Sequence, residues 1–239
     1  MGSFTRTMLL AVLVVAPARS RAAGPDGDPS GHWQGTLDAP SATVTIEIDL
    51  AKRREGGFVG TFGNPGEGES GLPLASIAVA GKTVTLVLKA TSGGGTFHGT
   101  LDDTGKAMSG DFALADGRAT LPFHLKRTGD ARIAPPPRSP PISKRLEGRW
   151  TGTLEADGKQ VAIVLVMANQ PDGTSSGTLT SSGLSLPIAM TQNAASLRVE
   201  VPSVRGTYTG VLNDAGTQLT GTWTQKSVAL PLTFQRTAR

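Results

Sequence analysis

Residues 31–50 read GHWQGTLDAPSATVTIEIDL. From Thr43 to Leu50 polar and apolar side chains alternate strictly, with Val44, Ile46, Ile48 and Leu50 on one side and Thr43, Thr45, Glu47 and Asp49 on the other. Successive side chains of a strand point to opposite faces, whereas a helix repeats its apolar positions every three to four residues. The stretch therefore reads as two strands, 32–38 and 43–50. The same period of two runs through Ser196-Leu197-Arg198-Val199-Glu200-Val201 and from Leu230 to Phe234. Turn formers separate such runs, as in Asp102-Asp103-Thr104-Gly105, Pro171-Asp172-Gly173 and Asn213-Asp214-Ala215-Gly216. Short alternating runs broken by turns predict an all-β chain built as an antiparallel meander.

The opening motif occurs twice. GHWQGTL at Gly31 returns as GRWTGTL at Gly148, which aligns Trp33 with Trp150, Gly35 with Gly152 and Leu37 with Leu154. Gly60-Thr61 matches Gly177-Thr178, and Leu72-Pro73-Leu74 matches Leu186-Pro187-Ile188. GTFHG at Gly95 matches GTYTG at Gly206, MSGDF at Met108 matches LTGTW at Leu219, and LPFHLKRT at Leu121 matches LPLTFQRT at Leu230. The chain is a tandem of two units, 31–129 and 147–239, each the size of a small domain. Each unit carries eight candidate strands. Eight hairpin-linked strands suit a small up-and-down barrel, which leaves no free edge; a β-sandwich is the alternative.

Between the units, residues 130–146 form a proline-rich linker. Five of the 16 prolines fall within DARIAPPPRSPPISKR, a composition that predicts an extended, semi-rigid spacer. Residues 1–22 join Arg6, an apolar run from Met8 to Pro17 and small residues, in the order of a secretory signal peptide. A periplasmic or secreted location is expected. The formal charge of +4 divides unevenly: +3 in residues 1–22, −3 in 23–129, +3 in 130–145 and +1 in 146–239. No basic face with interleaved aromatics emerges, which argues against nucleic-acid binding. No apolar run reaches the length of a transmembrane helix. The absence of cysteine excludes disulfides, thiolate metal sites and a Cys nucleophile.

Eight glycines sit inside strands at matched positions, in patterns such as Trp33-x-Gly35-x-Leu37, Phe97-x-Gly99-x-Leu101, Tyr208-x-Gly210-x-Leu212 and Leu219-x-Gly221-x-Trp223. Glycine weakens a strand unless the chain coils tightly or another group comes close, and a narrow barrel needs both. Barrels this small are usually packed solid with side chains. The alternative is a ligand cavity lined by Trp150, Tyr208, Trp223 and Gln225, or by Trp33, Phe97 and Phe112. Gln225 shares parity with Trp223, which places an amide near a barrel mouth; its counterpart is Leu114. One strand of the second unit is apolar on both faces. Ala162, Val164 and Val166 stand where the first unit has Thr45, Glu47 and Asp49, so Val164 and Val166 are expected at an interface.

The run G-x-W-x-G-T-L, the Leu-Pro steps, G-T-W-x-Q at Gly221 and L-P-L at Leu230 together resemble an all-β module of bacterial exported proteins. That module often precedes α/β-hydrolase domains of the serine aminopeptidase or esterase type. The second unit fits best, whereas the first reads Gly110-Asp111-Phe112-Ala113-Leu114 in place of G-T-W-x-Q. The opening Trp with a late basic residue, Arg127 or Arg236, is also similar to calycin barrels such as lipocalins and avidins. That resemblance implies a Trp–Arg stack closing one barrel end.

Catalysis finds little footing. The one G-x-S-x-G match, Gly173 to Gly177, lies in a hairpin rather than a strand-turn-helix elbow, and the second unit has no histidine. His32, His98 and His124 fall on the face opposite the rings and read as exposed surface residues. Glu67 and Glu69 lie in a Gly-rich loop, and Asp102-Asp103 is a turn. The reading is a non-catalytic, exported tandem barrel without metal or cofactor. It would act as an accessory module toward an envelope protein, or as a lipocalin-like carrier of a small apolar ligand; a part in a hydrolase system is the weaker alternative.

Overall fold

The computed structural model describes residues 27–89, 94–156 and 158–237. The signal-like segment lies outside these. Sixteen strands form two closed eight-stranded antiparallel barrels. The first comprises β1 (Gly31–Ala39), β2 (Ala42–Lys52), β3 (Phe58–Asn64), β4 (Glu69–Ala80), β5 (Thr83–Leu88), β6 (Gly95–Leu101), β7 (Ala107–Leu114) and β8 (Thr120–Gly129). The second comprises β9 (Gly148–Ala156), β10 (Lys159–Asn169), β11 (Ser175–Ser181), β12 (Leu184–Asn193), β13 (Ser196–Val201), β14 (Gly206–Leu212), β15 (Gln218–Gln225) and β16 (Val228–Arg236). Each strand pairs with its sequence neighbours, and β8 and β16 return to β1 and β9 to close the circle. The tandem of meander barrels is therefore the fold, and the sandwich is set aside.

Alternation builds both interiors. Ile46, Ile48 and Leu50 of β2 are fully buried, and so are Leu197, Val199 and Val201 of β13. The strand glycines serve two purposes. A Cβ on Gly35 would stand 1.8 Å from the His124 carbonyl oxygen, and one on Gly221 would stand 2.1 Å from that of Thr209. At such points the neighbouring strand passes too close for any side chain. At other points a ring covers the glycine, as Tyr208 covers Gly210 and Trp223 covers Gly206.

The linker departs from a free spacer. Ser139 forms a β-bridge with Ser175. The Arg132 N–H donates to Asp49 Oδ1 at 2.7 Å, and the Ser143 N–H donates to Gln192 Oε1 at 2.7 Å. Asn169 grips the Ile142 peptide on both sides, accepting from its N–H at 2.9 Å and donating to its carbonyl at 2.8 Å. Ile142 and Leu146 are buried. Proline removes donors only at its own positions; the residues between the prolines keep theirs, and barrel side chains take them.

Candidate ligand-binding site

Each barrel is shut at one end. The Arg127 guanidinium lies 4.9 Å from the centre of the Trp33 ring, and Arg236 lies 4.8 Å from that of Trp150. Cations over an indole face are held by the ring quadrupole. The indole N–H groups donate to Pro29 O at 2.8 Å and Leu146 O at 2.9 Å. Arg127 and Arg236 donate in turn to the carbonyls of Asp28 and Arg145. The two plugs are copies of each other, and both rings are wholly buried.

The barrels differ at the other end. In the first, Phe97 packs on Phe112 at 4.3 Å, on Phe123 at 5.3 Å and on Phe62 at 5.9 Å between ring centres. The repeat aligns Phe62 with Leu179 and Phe123 with Leu232. Two rings become two leucines, and both leucines line a cavity of about 200 Å³ at the mouth of the second barrel. An apolar cavity of roughly 150 Å³ holds a benzene-sized guest, so this space suits a small ligand.

The cavity wall is mostly aliphatic. Trp223 stands to one side, and Gln225 and Ser181 supply polar atoms. Gln225 Nε2 donates to Val204 O at 3.2 Å, which fixes the amide at the rim. The first barrel also contributes. Leu72 and Glu69, both on β4, line the same space. Lys226 pairs with Glu67, and Ser203 Oγ reaches Gly71 O at 3.5 Å, so the barrels are joined beside this mouth. Burial raises the proton affinity of the Glu69 carboxyl, the nearby Glu67 charge adds to the rise, and Lys226 opposes it.

Of the seven aromatic and amide positions marked in the sequence, the structure brings Trp223 and Gln225 to the cavity. Trp33 and Trp150 sit in the end plugs, and Phe97 and Phe112 fill the first barrel. Tyr208 packs edge-on against Phe234 at 5.1 Å. Leu72, Leu179 and Leu232 were not marked as site residues, and Glu69, read as part of a Gly-rich loop, instead opens β4. The aligned Phe-to-Leu changes carried a signal for the two leucines, whereas nothing in the repeat pointed to a contribution from the other barrel. Val164 and Val166 lie half-buried on the outer face of β10, and Val164 borders an open concavity with Pro231.

His98 and His124 are exposed as expected, but His32 is not. It is 2% exposed, and its Nδ1 lies 2.9 Å from Asp49 Oδ1. The linker passes beside His32 and Asp49 and binds Asp49 through Arg132, a neighbour that strand parity could not foresee. Together with Arg132 and linker prolines these groups line a cleft of about 310 Å³. Ser175 is also buried, and its hydroxyl donates to Pro140 O at 2.7 Å, so it fastens the linker. Among the described residues no group of His, Asp and Glu could hold a metal ion, and no helix is long and apolar enough to cross a membrane.

No protein-family model matches the chain, and no curated protein matches it. Among solved structures the chain is similar to a candidate outer membrane protein of Bacteroides fragilis, with 13% identity, 87% of this chain and 97% of that chain covered, and a TM-score of 0.29. It is also similar to a protein of unknown function from the DUF3598 family of Nostoc punctiforme, with 12% identity, 87% and 96% covered, and a TM-score of 0.30. At these scores the assignment of the fold rests on the strand pairing itself.

Proposed function

We propose that the protein is a non-catalytic binding protein whose second barrel holds a small apolar ligand. The cavity of about 200 Å³ carries this reading. Its wall offers apolar contact with a few polar atoms at the rim, the usual make-up of a site that holds a small molecule. Ser175 fastens the linker through its hydroxyl, and His32 pairs through Nδ1 with Asp49, the residue that binds the linker at Arg132. The order of the first 22 residues supports a periplasmic or secreted carrier.

Titration with 1-hexanol tests the reading, with tryptophan fluorescence as the signal. The indole of Trp223 lines the cavity, so binding changes its emission, and Trp223→Phe removes most of the change. A flat titration across apolar compounds of this size would show that the space admits no ligand. The second reading is an accessory module that docks on an envelope protein. The half-buried, apolar outer face at Val164 and Val166 supports it, and charge placed at those two residues is its test.

A further inference from the structure

We propose that the first barrel completes the ligand site of the second, and that Glu69 selects ligands with an amine head on a short apolar body. The proposal rests on the reading of this cavity as a ligand site. Of the described residues that line the cavity, Glu69 alone is ionisable. It belongs to β4 of the first barrel, whereas the body of the cavity belongs to the second. It is half-buried.

Lys226 gives the Glu69 carboxylate some favourable charge interaction but does not pair with it. The Lys226 ammonium is engaged with Glu67. The Arg205 side chain lies across Gly68, 3.4 Å from where a Cβ there would stand. Among the described residues, the Glu69 carboxylate forms no ion pair. A half-buried carboxylate without a partner is costly in its charged form. Its raised proton affinity reflects that cost.

An ammonium head placed beside Glu69 would offset the cost and gain a charge-assisted hydrogen bond. The apolar body would then lie against Leu179, Leu232 and Trp223. An alcohol of equal length keeps the apolar contact and loses the ion pair. A carboxylate of equal length brings like charge against Glu69.

The experiment compares hexylamine, 1-hexanol and hexanoate by titration calorimetry at about pH 8, where the amine is charged and carboxylates are ionised. The expected order is hexylamine, then 1-hexanol, then hexanoate. Hydrogen bonds to charged groups predict an advantage of about tenfold for the amine over the alcohol. Glu69→Gln should bring the ratio of these two affinities close to one. Equal binding of amine and alcohol by the wild type would overturn the role of Glu69 and leave the cavity reading standing. So would an amine preference that survived in Glu69→Gln. Failure of all three compounds to bind would overturn the cavity reading itself, and the amine proposal with it. The wild-type order decides the matter even if the variant folds poorly.

Discussion

The Tyr208 hydroxyl is buried and has no hydrogen-bond partner. A buried hydroxyl left unpaired forfeits the bonds that water would have given it, at roughly 1–3 kcal/mol. Its counterpart in the first barrel is Phe97, which has no such group. Tyr208→Phe should therefore stabilise the protein by about 1 kcal/mol, read as a higher urea midpoint with an unchanged slope. Burial also pushes the phenol well above its ordinary value of 10.0. Because the folded value exceeds the unfolded one, the linked stability is complete below about pH 10 and is lost as pH climbs toward the folded value. The chain has one tyrosine, so tyrosinate absorbance follows this residue alone. It should appear only as the protein unfolds in alkali, and Tyr208→Phe should lose that alkaline component. A tyrosinate signal that rose ahead of unfolding would overturn the account. At this scale much was legible: strand parity placed the glycines and rings inward. What each glycine met was not legible, because a close carbonyl and a covering ring leave the same trace in sequence.

The strands were legible as elements because alternation and turn chemistry agreed along the whole chain. Asp102 and Asn213 show how local the turn signal is. Each side chain accepts from backbone N–H groups four and five residues on, which closes the hairpin around it. The linker was less legible. Its prolines ruled out regular structure, but its anchoring depends on Asn169, Gln192, Ser175 and Asp49, which lie far from it in sequence. The same distance hid the burial of His32. The outer face of β10 lies between these cases. Its apolar character was read from three aligned positions, of which Val164 and Val166 are half-buried and Ala162 is exposed. Cross-strand neighbours Thr151 and Thr180 flank Val164 and shield it in part. If this face docks on another copy or on a partner, Val164→Glu with Val166→Glu should reduce the sedimentation coefficient of the assembled species. Equal solution size and equal thermal midpoint for variant and wild type would sink the interface reading.

Two copies of one fold need not share an interior. The plugs of Trp33 with Arg127 and Trp150 with Arg236 match within 0.1 Å in their stacking distance, so that end is common to both. The opposite end diverged in side-chain volume, and in polarity where Gln225 stands in place of Leu114. Four phenylalanines pack together in the first barrel, while the second keeps leucine at two of the four positions and a cavity beside them. The repeat itself supplies the test. Leu179→Phe with Leu232→Phe restores to the second barrel the rings that fill the first. Both leucines are nearly fully buried and both border the cavity, so the added atoms enter empty space rather than packed core. Filling a void gains dispersion contacts, whereas crowding a dense core typically costs about 1–3 kcal/mol. The double variant should therefore be at least as stable as the wild type and should no longer bind 1-hexanol or hexylamine. Calorimetry gives the binding and thermal unfolding gives the stability. Retained binding would place the ligand elsewhere on the molecule. A drop of several kcal/mol would mean that the space at this mouth is already occupied by side chains, and that the second barrel, like the first, is solid.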